Sequence, residues 1–187
     1  DLHNEPHDLT WSVWAGYCEE CAESILLVAP QWLFFVEGVG VNSDESQNWW
    51  GGALKDVATR PVTLSVASKV AYSPHEYGQS VGLQEWLSDT NKQVANYPNN
   101  LYSRWTTMWG FIYQNNIAPI WIGEYGGKFG VDGNGNSGVV NGSYEIQWVQ
   151  TLVKYLNGDF NGDGTSDLVS GKKGLSNAYW SYNPNSG

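Results

Sequence analysis

The sequence predicts an α/β protein built on a parallel sheet with crossover helices. Three observations predict it. Short apolar runs rich in β-branched and aromatic residues recur along the chain, stretches of helical period separate them, and each run ends in a polar cluster. Strand, helix, strand, helix in that order implies a parallel sheet with helices in the connections. In such proteins, and above all in (β/α)8 barrels, chemistry gathers at the carboxyl ends of strands.

The strand-like runs are residues 33–36 (Leu-Phe-Phe-Val), 70–72 (Val-Ala-Tyr), 119–122 (Pro-Ile-Trp-Ile) and 178–180 (Ala-Tyr-Trp). Each is a continuous apolar run, the pattern of a strand buried on both faces. Residues 1–4 read as the tail of another strand. Three helical stretches alternate with these. In the first, Trp14, Cys18, Cys21, Ala22, Ile25, Leu26 and Ala29 follow helical spacing and Pro30 is the stop. In the second, Tyr102, Trp105, Trp109, Ile112 and Tyr113 do the same. In the third, Ile146, Val149, Val153 and Leu156 line one face and Gly158 follows as the stop. The strand count is about five, against the eight of a closed barrel. The expectation is therefore a (β/α)8 TIM barrel to which residues 1–187 contribute about strands 4–8, as the C-terminal part of one catalytic domain.

Composition narrows the function. Nine Lys and Arg against nineteen Asp and Glu give a net charge of −10. That balance offers no electrostatic footprint for nucleic acid or an anionic membrane. No apolar run approaches the ~20 residues that span a bilayer. An apolar share of 41% with 14% aromatics excludes intrinsic disorder. Eleven Trp and eleven Tyr stand beside only five Phe. Large rings with a polar edge suit an amphipathic partner, and a pyranose, apolar on its face and polar at its rim, is one. The only cysteines, Cys18 and Cys21, are CxxC-spaced with no second pair, so cysteine alone completes no zinc knuckle. They read as small helix-face thiols or a short bridge, with a redox motif as the alternative.

Most of the ten Glu, such as Glu19, Glu20 and Glu23, read as solvated helix charges. Glu5 and Glu124 differ because of their neighbours. Pro6 cannot continue a ladder, so a strand ending there presents Asn4 and Glu5 at its tip. Glu124 closes the run Trp121-Ile122-Gly123-Glu124-Tyr125-Gly126-Gly127, where glycines let the chain turn away. Two carboxylates among aromatic rings are what glycoside hydrolysis uses.

These residues also carry a resemblance. Leu2-His3-Asn4-Glu5-Pro6-His7, Phe35-Val36-Glu37-Gly38-Val39, Trp49-Trp50-Gly51-Gly52, Tyr72-Ser73-Pro74-His75-Glu76-Tyr77, Gly123-Glu124-Tyr125-Gly126-Gly127 and Tyr179-Trp180-Ser181-Tyr182-Asn183-Pro184 together resemble glycoside hydrolase family 5. The likeness is to its bacterial-type endo-β-1,4-glucanases and runs in order through the chain. It implies a retaining endo-β-1,4-glucanase with Glu5 as acid/base and Glu124 as nucleophile. Asn4 would hydrogen-bond the sugar 2-hydroxyl. His75 and Tyr77 would be the strand-6 pair, with Tyr77 donating to Glu124 and keeping it ionised. Trp180 would be the platform under the scissile sugar. An Arg and a His of the family come from strands before the Asn-Glu-Pro element, so the N-terminal part of the barrel is expected as a partner, on a second chain or an upstream segment. Where Tyr182 stands, the family more often has Trp. The expected ligand is β-glucan, with mannan and xyloglucan as alternatives, and a non-catalytic carbohydrate-binding protein as the other class. The location expected for such an enzyme is extracellular.

Three further signals stand beside this. His3 and His7 invite a zinc-protease reading, but Pro6 interrupts the helix that would put both rings on one face. Trp49 and Trp50 read as core packing or as a sugar-stacking loop, with Trp50 carried as a substrate-binding candidate. Trp14, Trp32, Trp105, Trp109 and Trp148 read as core. Residues 159–167 place Asp159, Asn161, Asp163, Thr165 and Asp167 at calcium-loop spacing with Gly164 at the sixth position. Ser170 stands where the bidentate Glu would be, so a structural calcium would need another ligand. No cofactor is expected for catalysis itself. Residues 132–136 are a weaker version of the same pattern.

Overall fold

The computed structural model describes residues 2–129 and 142–182. The weaker Asp/Asn pattern at 132–136 and Asn183 with Pro184 lie outside the described residues. The chain divides into two compact units, residues 1–75 with 107–123, and residues 76–106 with 124–187.

In the first unit, α1 spans Trp11–Leu26. Thr10 caps it in extended conformation, its hydroxyl accepting the Val13 N–H at 3.4 Å. Trp11, Trp14, Ala15, Cys18 and Ala22 form the buried face. The helix ends short of Ala29. A proline at 30 inside the helix would clash with the Leu26 carbonyl and disfavours helical geometry at 29. Exposed Leu27 and Val28 gain no burial to offset that. Cys21 faces solvent and both thiols are free, so no bridge forms.

β1 (Phe34–Val36) pairs in parallel with β2 (Val70–Tyr72), with Phe34 opposite Val70 and Val36 opposite Tyr72. Ile120 extends the pattern through a parallel bridge to Tyr72. Two expectations fail at the entry to β1. Leu33 lies outside the strand and is exposed, and Trp32 is 55% exposed rather than core. Both sit in the connection after Pro30, beyond the face that α1 covers. Residues 2–4 form no strand.

The strand expected to run on from 70–72 is two strands. Pro74 has no N–H to give a ladder, and beyond it β3 (His75–Tyr77) joins a different sheet of order β3-β4-β5. β4 is Trp121–Gly126 and β5 is Ser176–Tyr179. The β5 run is largely exposed or half-buried, because it stands at the edge of that sheet order.

The second helical stretch is α2 (Asn100–Trp105), a π-helical turn at Thr106–Gly110, and α3 (Phe111–Gln114). α4 spans Gly142–Leu156. Its buried face is rotated by one residue from the expected one. Glu145, Trp148, Leu152, Tyr155 and Leu156 are buried, while Ile146 and Val153 are exposed. Bulk decides this: Trp148 and Tyr155 remove far more apolar surface from water than two β-branched side chains. Tyr155 meets Trp105 edge-on at 5.4 Å between ring centroids. Gly158 stops the helix with φ +101, as expected.

Glu145 shapes the second unit. Its Oε1 accepts the Ser80 hydroxyl at 2.7 Å and its Oε2 the Ser80 N–H at 3.0 Å. Burial raises the Glu145 carboxyl above its ordinary range, and the Ser80 bonds oppose that shift. A Cβ on Gly127 would lie 1.9 Å from Glu145 Oε1, and one on Gly78 would lie 2.2 Å from it. Gly127→Ala is therefore expected to destabilise the protein by about 1–3 kcal/mol through overpacking, read as a lower midpoint in denaturant.

In the first unit Arg60 makes a two-pronged pair with Glu19, at 2.6 and 2.7 Å. This corrects the reading of Glu19 as merely solvated. The Arg60 hydrogen bond, foremost, holds the Glu19 carboxyl below its ordinary 4.5. The stabilisation is thus complete above about pH 4.5 and is lost as the pH falls through the lowered value. With Arg60 more than a third exposed, it amounts to about 0.2–1 kcal/mol. Glu19→Gln should lower the melting temperature at about pH 7, and the difference from wild type should shrink towards about pH 3.

Candidate functional site

Glu5, in the first unit, has φ +49, a left-handed conformation rare outside glycine. Its backbone N–H donates to Glu37 Oε2 at 2.7 Å. Its side chain meets His75, with Glu5 Oε1 3.0 Å from His75 Nδ1. His75 is 1% exposed. A Cβ on Gly123 would come within 3.1 Å of His75 Nε2 and 2.4 Å of Ser73 Oγ, so glycine there leaves the ring its place. Asn4, preceding Glu5, is exposed.

The turn after Glu5 is held from outside. His7 Nδ1 lies 2.8 Å from the Glu5 carbonyl oxygen, and the His7 ring stacks on Trp50 at 4.2 Å between centroids, 12° from parallel. Trp50 is 53% exposed, so it is not core. A cavity of about 670 Å³ opens here, with His7, Trp11, Trp50, Asn42, Asp56 and Arg60 on its wall. His3 instead meets Trp14 edge-on at 6.1 Å. The two histidines thus engage different indoles, which removes the geometric motive for a zinc pair.

The second unit carries Glu124 on β4. The hydroxyl of Tyr77 on β3 donates to Glu124 Oε2. A strand away, the Trp180 N–H donates to the Tyr125 carbonyl at 2.8 Å. A Cβ on Gly126 would lie 2.1 Å from the Trp180 carbonyl oxygen, so this approach requires glycine. Trp180 is 52% exposed, and the Trp180–Ser181 peptide is cis. Tyr182 is fully exposed. Buried Glu76 on β3 feels the charge of Arg104, whose guanidinium lies 3.5 Å over the Trp86 ring.

The 159–167 loop is folded on its own carboxylates. Asp159 accepts the N–H groups of Gly162 at 2.7 Å and Gly164 at 3.1 Å. Asp163 accepts from Thr165 N–H at 2.8 Å, and Asp167 from Phe160 N–H at 2.8 Å. Asn161 donates to Asp163 at 3.3 Å and to Asp167 at 3.1 Å. The five anticipated side chains thus share one loop.

Sequence reading passed over Glu37 as a site residue. It was visible only as one more polar strand end; its burial and its contact with residue 5, thirty-two positions away, have no local signature.

Residues 1–186 match the family model for cellulase, glycosyl hydrolase family 5. The chain belongs to that family. It is 39% identical to an endoglucanase of Paenibacillus polymyxa, over all of this chain and 42% of the relative. It is 33% identical to the major extracellular endoglucanase of Xanthomonas campestris pv. campestris, over all of this chain and 34% of that protein. Among solved structures, the catalytic domain of the Xanthomonas major endoglucanase superposes with TM-score 0.74 at 32% identity, covering this whole chain and 48% of that one. An endocellulase of Pyrococcus horikoshii in complex with cellotetraose gives TM-score 0.73 at 29% identity, over this whole chain and 50% of its own. The chain spans half or less of the length of these relatives.

Proposed function

We propose that this chain carries both catalytic carboxyls of a retaining endo-β-1,4-glucanase, and that it supplies about the strand 4–8 part of a (β/α)8 barrel. The observation that carries the reading is the environment of the two acids. Glu5 sits at a turn against an imidazole, and Glu124 on β4 under a phenol donor. Family membership and the endoglucanase names of the relatives support the activity. The remainder of the barrel, including its Arg and His, comes from outside residues 1–187. The Xanthomonas relative, named as extracellular, supports secretion.

In the first step the Glu124 carboxylate attacks the anomeric carbon while the Glu5 carboxyl gives its proton to the departing glycosidic oxygen. The glycosyl–Glu124 ester forms and the leaving chain departs as an alcohol. In the second step Glu5, now carboxylate, takes a proton from water. The water oxygen attacks the anomeric carbon, and Glu124 is released with net retention. Asn4 holds the sugar 2-hydroxyl. His75 orients Glu5 and Tyr77 orients Glu124. Trp180 stacks under the scissile sugar, and Trp50 offers a ring to the glucan.

In the full-length protein, Glu124→Gln should abolish turnover. Glu5→Gln should keep some activity on activated aryl glycosides, seen in kcat/KM, because their departure needs little acid assistance. NMR of the wild-type reaction should show the β-anomer first, and the two carboxyls should stand ~5–5.5 Å apart in the complete barrel. The reverse mutant pattern, or the α-anomer first, would mean the roles are misassigned.

We also propose that Asp159, Asn161, Asp163, Thr165 and Asp167 hold a structural calcium, completed by a ligand outside the loop. A chelator should then lower the melting temperature and added calcium restore it, because an ion bound only by the folded state stabilises that state. An unchanged melting temperature at saturating chelator would remove calcium from the account.

A further inference from the structure

The Glu5 group contains a second carboxylate that the double displacement does not use. Glu37 follows directly on β1 and is fully buried. It reaches Glu5 by two routes. Its Oε2 accepts the Glu5 backbone N–H at 2.7 Å, and its Oε1 lies 3.5 Å from His75 Nε2. The other nitrogen of the same ring, Nδ1, lies 3.0 Å from Glu5 Oε1. Glu37 is itself anchored, its backbone carbonyl accepting the Trp14 indole N–H at 2.8 Å. Gly51 closes over it, where a Cβ would lie 2.7 Å from Glu37 Oε2 and 3.2 Å from the His75 ring.

We infer that Glu37 is a positioning residue that aims the Glu5 carboxyl at the glycosidic oxygen. The inference rests on the reading of Glu5 as acid/base. A left-handed φ at a glutamate persists only where its surroundings hold it, and an N–H bonded to a carboxylate is among the stronger restraints a backbone can have. That bond fixes where the Glu5 side chain starts. The imidazole between the two carboxylates fixes where it ends. A doubly protonated ring donates to both acids and a neutral ring to one, so Glu37 also governs how the ring meets Glu5. A displacement of about 1 Å at a reacting group can cost on the order of a hundredfold in rate.

The test is Glu37→Gln in the full-length protein. Glutamine keeps the shape and one acceptor oxygen, but turns an amide NH2 on the Glu5 N–H or on His75, so one of the two routes fails. Hydrolysis of soluble glucan should lose about ten- to a hundredfold in kcat with KM near wild type. For 2,4-dinitrophenyl cellobioside, whose leaving group needs no proton, kcat/KM, which reports the glycosylation step alone, should fall less than about threefold. Glu5→Gln measured alongside should show the same divergence, only larger. Equal losses of Glu37→Gln on both substrates, or no loss on either, would overturn the role of Glu37 while leaving Glu5 as the acid. No divergence in Glu5→Gln would overturn both. Should Glu37→Gln fail to fold, Glu37→Asp, which keeps the charge but withdraws it by one methylene, is read the same way. Divergence supports the positioning role and a uniform loss overturns it.

Discussion

A carboxylate with no access to water sets the geometry of the first unit. Removing a carboxyl group from solvent is tolerated only when its oxygens meet polar partners. For Glu37 the Glu5 main-chain N–H donates to Oε2, and the edge of the His75 ring brings Nε2 to 3.5 Å from Oε1. The glycines follow from that requirement. Gly51 and Gly123 lie where side chains would press on the Glu37–His75 pair, so the motifs around residues 51 and 123 are packing demands of that buried pair. The exposed layer above, with His7 lying flat on Trp50, is mounted on this base through the Glu5 carbonyl.

The second unit repeats the device with different residues. Glu145, buried on α4, draws in Ser80 and leaves Gly78 and Gly127 no room for a Cβ. Gly126 does the same for the Trp180 carbonyl. The glycines after Glu124 thus do more than turn the chain. They let β4, α4 and the segment after β5 come close enough to carry Tyr125, Trp180 and the Glu124–Tyr77 contact.

How much was legible in sequence follows the range of the interactions. The strand runs within residues 34–36, 70–72 and 121–122 were readable because proline, glycine and apolar runs act within a few residues. The helix stop at Gly158 was readable for the same reason. The division of residues 70–77 into two strands also had a local cause, Pro74, but its consequence, a change of sheet, did not. The buried face of α4 was misjudged because Ile146 and Val153 fit a helical stripe as well as Trp148 and Tyr155 do. The choice depends on Trp105 and Ser80, both far away in sequence. Trp32 was misplaced because its large ring says nothing of whether a partner covers it. Glu37 was seen only as a polar strand end for a related reason: a glutamate beside a strand has no local mark of burial.

The CxxC pair on α1 has a practical corollary. Burial pushes the Cys18 thiol up to about 12, so almost none of it is thiolate at neutral pH, whereas Cys21 one turn away stands in solvent. An alkylating dye or spin label would therefore attach to this chain at a single defined position without any cysteine being engineered in or out. The native sequence comes with one spectroscopic handle on the helix whose Trp14 supports Glu37.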